Sequence, residues 1–116
     1  MADIIIYTMP EKLLHKQGKL PDDEDYSETG DYYWSFAHFP KEVEKGDKVY
    51  FATKGFIRGY FIIKDIDFEG DGEAIIFNCD SWKDIDTLNY LNSIIPCKPF
   101  QGFKYADKVE ELKDVN

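Results

Sequence analysis

Residues 34–38 read Trp-Ser-Phe-Ala-His, which sets two aromatic rings, a hydroxyl and an imidazole within five positions. Phe100 and Gln101 repeat the pairing of ring and polar group far along the chain, and Thr8 adds a hydroxyl two residues before Pro10. A flat π-ligand such as a nucleobase needs this mixture, a ring to stack on and a few hydrogen-bonding groups to read its edge. Trp34, Phe36 and Phe100 can supply the faces, and Thr8, Ser35, His38 and Gln101 the edge contacts. Lys54 and Arg58 flank a turn, where they either meet a phosphate or stand as solvated strand-edge charges. The same aromatics also suit the core of a small β-domain, so both roles stay open for Trp34.

Other chemistries find less in the chain. His38 has the pKa range of a general base, but no acid partner is evident beside it, and a structural role is the simpler one. His15, His38, Cys79 and Cys97 lack the short spacing of metal ligands, so neither a metal site nor a cofactor is expected. Cys79, in an apolar strand, reads as a small buried hydrophobe. Two cysteines in 116 residues make no disulfide framework, and the N-terminus carries no secretory pattern, which together predict a reducing cytoplasm. No apolar run approaches the roughly 20 residues of a membrane helix, so no membrane partner is expected.

The net charge of −9 opposes loose attraction to phosphate backbones, which depends on Lys and Arg displacing counterions. Its distribution matters more than its size. Asp22, Asp23, Glu24, Asp25, Glu28 and Asp31 hold six of the 23 acids, leaving 17 acids against 14 bases elsewhere. The body of the protein is therefore only mildly acidic. Thirteen of the bases are Lys, and Arg58 is the one guanidinium, the group that reads phosphate and guanine bidentately. The acidic stretch is a solvated loop or, alternatively, a phosphate mimic for a basic protein surface.

These residues need elements to hold them. Residues 3–8 are β-branched and apolar on both faces, as in a central strand. Pro10 and Gly18 bracket a short helix with Leu13 and Leu14 on one side, and residues 19–31 form an exposed acidic loop. The aromatic segment 32–39 follows. Residues 48–53 and 56–65 are strands joined by Lys54-Gly55, a hairpin signal. Ile57, Phe61 and Ile63 fall on one face of the second strand and Tyr60 and Ile62 on the other, so both faces are covered, and Gly59 marks a close approach. Residues 69–72 turn into a strand at 74–79. From Ser81 the period changes, with Trp82, Ile85, Leu88, Leu91 and Ile95 predicting an amphipathic helix stopped by Pro96. A strand at 100–105 and a helix at 107–113 close a single domain, residues 1–116, of α+β class.

Glu44-Lys-Gly-Asp-Lys-Val-Tyr-Phe51 and Gly55-Phe-Ile-Arg-Gly-Tyr-Phe-Ile-Ile-Lys-Asp-Ile66 resemble the central pattern of PUA-like domains, particularly the ASCH and EVE branches. Tyr7-Thr8-Met9-Pro10 is similar to the strand-to-helix corner that opens EVE domains, and residues 99–105 to their closing strand. The resemblance implies a small, mostly antiparallel β-barrel with flanking helices. It also implies binding of RNA or DNA, of a single or modified base, or of a nucleotide, in a pocket formed by the Thr8 corner, residues 33–38 and Phe100-Gln101. The Lys/Thr/Glu set of the ASCH amidohydrolases has no counterpart at matching spacing, so a hydrolase acting on a modified nucleoside stands as the alternative to a binding module. No catalytic signature is present.

Overall fold

A computed structural model describes residues 2–22, 24, 26–68, 73–85 and 95–108. The first strand, β1 (Ile4–Tyr7), is apolar on both faces because it lies inside the sheet, between two other strands. Helix α1 (Pro10–Lys16) begins at the proline, whose fixed φ suits a first turn, and Gly18 at φ +71 carries the chain away from its end. The described residues of the segment to residue 30 are largely exposed, as the sequence predicts, and the segment ends where β2 (Asp31–Ser35) begins. Strands β3 (Lys48–Thr53) and β4 (Phe56–Asp67) form the expected hairpin. Lys54 and Gly55 both have positive φ at its tip, +50 and +86, the conformation that matches a tight hairpin to strand twist.

Strand β5 (Ala74–Asn78) returns along β4, and two-residue strands β6 (Lys83–Asp84) and β7 (Ile95–Pro96) pair with β4 on the edge away from β3. The last, β8 (Phe103–Tyr105), runs antiparallel to β1. The main order is β2-β5-β4-β3-β1-β8, with β1 and β3 parallel and the other pairs antiparallel. The twelve-residue β4 ties two half-sheets together, pairing with β3 through Ile62 and with β5 from Ile63 onward. Such a strand turns the corner between sheets. The class is α+β with a mixed sheet.

Three expectations are corrected. The sheet is not a barrel, because among the described residues β2 and β8 end it as unpaired edges. What the sequence shows as coverage of both faces comes from side chains packed on each face of β4, Phe77 and Trp82 on one and Ile85 and Ile95 on the other, rather than from closure. The helix predicted from Ser81 does not begin there. Cys79–Ser81 is a 3-10 turn capped by the Asn78 side chain, which accepts from the Asp80 N–H at 2.9 Å, and the chain then enters β6. The rest of that predicted helix, at 86–94, lies outside the described residues, as do turn residues 69–72 and most of the helix predicted at 107–113, where Ala106–Lys108 is a 3-10 turn.

The third correction concerns which way β4 faces. Phe51 pairs with Gly59 but Ala52 with Ile57, so Arg58 is an extra residue and the alternation reverses there. Ile57 consequently joins Tyr60 rather than Phe61. Two cores result. One holds Ile4, Ile6, Val49, Phe51, Phe61, Ile63, Ile75 and Phe77, and the other holds Ile5, Tyr50, Ala52, Ile57, Tyr60, Ile85 and Ile95 on the opposite face. The close approach expected at Gly59 is real. A Cβ there would press on the Lys83 carbonyl and come within 2.6 Å of the Trp82 ring.

The Gly46-Asp47 pair has a structural role. Gly46 takes φ +92, and the buried Asp47 carboxylate accepts from the Glu44 N–H at 2.8 Å and the Ala2 N–H at 3.0 Å. Asp3 answers by accepting from the Lys48 N–H at 2.8 Å. These bonds set the register in which β1 lies parallel to β3.

Candidate functional site

The unpaired edges β2 and β8 approach each other around the first core. Phe36, just past β2, packs edge-on to Phe103 of β8 with ring centroids 5.8 Å apart. The gap between them opens into a groove of about 540 Å³, within the range of small-ligand sites. Six of the nine residues proposed from sequence line it: Trp34, Ser35, Phe36, His38, Phe100 and Gln101. Alternation along β2 explains the first three. Tyr32, Trp34 and Phe36 point toward the core while Tyr33 and Ser35 point out, and Trp34, on an edge strand, is only partly covered. One side of its indole meets Phe51 edge-on at 5.5 Å.

Phe100 stands on the other wall, half-buried, edge-on to Tyr7 at 6.1 Å. The Lys104 ammonium lies 4.7 Å from its ring centroid and brings a cation beside the groove. Tyr7 is held by the hairpin tip, where its hydroxyl accepts from the Gly55 N–H at 2.7 Å. His38 and Gln101 are exposed at the rim with Ser35.

Three proposed residues do not join this lining. Thr8 continues β1, its backbone N–H donating to the Ala52 carbonyl at 2.9 Å, and it is the preceding residue, Tyr7, that faces the groove. Lys54 sits exposed at the hairpin tip. Arg58, the bulge residue, turns its Nε back to donate to the Thr53 carbonyl and hydroxyl at 3.2 and 3.1 Å, and its guanidinium lies over Phe56 at 5.6 Å. It holds the hairpin end together. The sequence leaves Arg58 either meeting a phosphate or standing as a strand-edge charge, and Arg58 is not among the residues lining this groove.

Sequence reasoning missed Tyr7, Phe103 and a second groove of about 530 Å³ between α1 and β2, which shares Trp34 and Ser35 with the first. Its cations were legible. Lys12 and Lys16 are four apart on one helix and so share a face, and Lys16 Nζ lies 5.0 Å from the Tyr33 ring centroid and 5.9 Å from that of Trp34.

No carboxylate lines the Phe100 groove among the described residues, so His38 finds no acid there to form an acid–base pair. Burial pushes both thiols, Cys79 and Cys97, above their ordinary range, which keeps them as neutral free thiols. Among the described residues, no three His, Cys, Asp or Glu side chains converge to hold a metal ion, and no helix is long and apolar enough to cross a membrane. The groove can therefore stack a flat ligand and hydrogen-bond its rim. No family model, curated protein or solved structure matches the chain.

Proposed function

We propose that the protein binds a nucleobase in the Phe100 groove, presented by a nucleotide or by single-stranded or modified RNA or DNA. One observation carries this reading. In a chain of net charge −9, the groove has aromatic walls from Trp34, Phe36, Phe100 and Phe103, polar groups from Ser35, His38 and Gln101, and no carboxylate among its described lining. Aromatic faces bind any base through stacking, and the rim groups select its edge. Keeping acids away removes the repulsion that a phosphate-bearing ligand would otherwise meet. The resemblance of residues 44–66 to PUA-like domains points the same way. We extend the proposal to membership of that superfamily, with the open seam as the binding site, and to a reducing cytoplasm as the compartment.

The test is a fluorescence titration in a Trp82→Phe background, where Trp34 is the sole tryptophan. Trp82 packs on Phe61 at 4.9 Å, so Phe keeps an aromatic ring there. Ligands are nucleoside monophosphates, short single strands and nucleosides with modified bases. Saturable quenching that survives moderate salt is expected, because stacking resists screening while charge attraction does not. Silence across the whole panel would overturn the reading.

A further inference from the structure

We propose that the groove beside α1 is a second nucleotide subsite, so that the molecule takes a single strand of at least two nucleotides across Trp34 rather than one isolated base. This rests on the base-binding reading of the Phe100 groove. The two grooves, about 530 and 540 Å³, meet at Trp34 and Ser35, so a ligand stacked over the indole is continuous with both. A mononucleotide occupies one of them. A strand occupies both.

The second groove has the parts a neighbouring nucleotide requires. Tyr33 is 61% exposed, a large ring turned to solvent on an edge strand, and it offers a stacking face. Lys16 holds its ammonium near the rings of both Tyr33 and Trp34. Lys12 adds a second cation one turn back on the same helix face. Among the described residues, Glu11 is the one carboxylate in this lining, against two lysines, in a chain where acids outnumber bases 23 to 14. Cations interleaved with aromatic faces are how proteins follow a single strand, with the backbone neutralised while successive bases stack. An acidic protein partner would find Tyr33 and the lysines too, but would have no use for the aromatic groove that continues from them, which has no acid among its described lining.

The experiment compares tetramers of uridylate and deoxythymidylate with UMP and dTMP in the Trp82→Phe background, with Tyr33→Ala, Tyr33→Phe, Lys12→Ala and Phe100→Ala added in turn. The tetramers are expected to bind about tenfold or more tighter than the mononucleotides, the gain of one further stacked base. Tyr33→Ala removes most of that gain and Tyr33→Phe restores it, while mononucleotide affinity stays as it was. Lys12→Ala lowers the salt slope of tetramer binding by about one. Phe100→Ala weakens both ligand sizes. Equal affinity for tetramer and mononucleotide, or Tyr33→Ala acting equally on both, overturns the second subsite and leaves the first standing. Binding of neither ligand overturns the base-binding reading, and the second subsite with it. The uridylate and deoxythymidylate arms decide which backbone is preferred.

Discussion

The protein uses aromatic rings in two places, and the two populations differ by where their strands lie. Phe51, Phe61 and Phe77 come from β3, β4 and β5, strands with neighbours on both sides, and all three are fully buried. Phe61 stacks on Phe77 at 4.4 Å, and Phe51 meets both edge-on at 5.5 and 5.9 Å. Trp34, Phe100 and Phe103 belong to the seam, on or beside edge strands with a neighbour on one side only. There the contacts are edge-on, at Trp34–Phe51, Tyr7–Phe100 and Phe36–Phe103, and the rings line the groove. A ring's role is thus decided by the order of strands in the sheet rather than by its type.

The contrast can be broken most forcefully in the closed population. Phe61→Ala removes a ring with no exposed surface and is expected to cost about 3–5 kcal/mol, read as a lower urea midpoint at an unchanged slope. A loss below about 1 kcal/mol would show that the stack is not the centre of the core. Gly59→Ala comes next. Its methyl group must displace the Lys83 backbone or the Trp82 ring, an overpacking cost of about 1–3 kcal/mol in the same measurement. Phe100→Ala sharpens the comparison from the seam side. It should lower stability by only about 1 kcal/mol, as a half-buried ring, yet weaken base binding about tenfold, the worth of a stacked base. A variant that loses about 3 kcal/mol or more while its folded fraction keeps its affinity would move Phe100 into the closed population.

The smallest effect lies at the far end of β2. Lys64 and Asn78 donate to the Asp31 carboxylate at 2.8 and 2.9 Å and hold it below the usual carboxylate range. A depressed folded-state value adds stability that is present above the ordinary Asp range and lost as pH falls through the lowered one. Lys64→Met should therefore be slightly less stable than the parent at pH 6, with the gap closing below about pH 4. A gap that persists at pH 2 would assign the effect to packing of the Lys64 stem instead.

Local signals in the sequence were read correctly where one residue decides the backbone. Pro10 and Gly18 bracket α1, Gly55 makes the hairpin tip, and Gly59 marks the crossing of Trp82 and Lys83. The facing of Ile57 was not legible, because a bulge leaves no mark in the hydrophobic pattern and Arg58 has no residue type that announces one. Nor was the start of the Ser81 segment. Trp82 and Ile85 have helical spacing, but Trp82 is placed by the space above Gly59 and Ile85 by the second core. Closure fails for a similar reason, since two-sided burial looks the same whether strands close on themselves or other segments cover them. For the groove, residues 34–38 are neighbours in sequence, whereas Phe100 and Gln101 arrive from across more than 60 positions. Their place came from the resemblance to PUA-like domains, not from any spacing. Lys12 and Lys16 were visible as a pair, but nothing local tells that α1 lies beside Tyr33.

The parallel pairing of β1 with β3, and its antiparallel pairing with β8, has a consequence for how the chain is made. β1 is made before both of its partners, which end at positions 53 and 105. At 5–20 residues per second, roughly 5–20 s pass between synthesis of Ile4-Ile5-Ile6 and arrival of its second neighbour. For that interval one of the most apolar segments of the protein has an open edge, and its long-range pairings put the molecule among slow-folding topologies. Strand β1 precedes both of its partners and is complete only when the later one arrives.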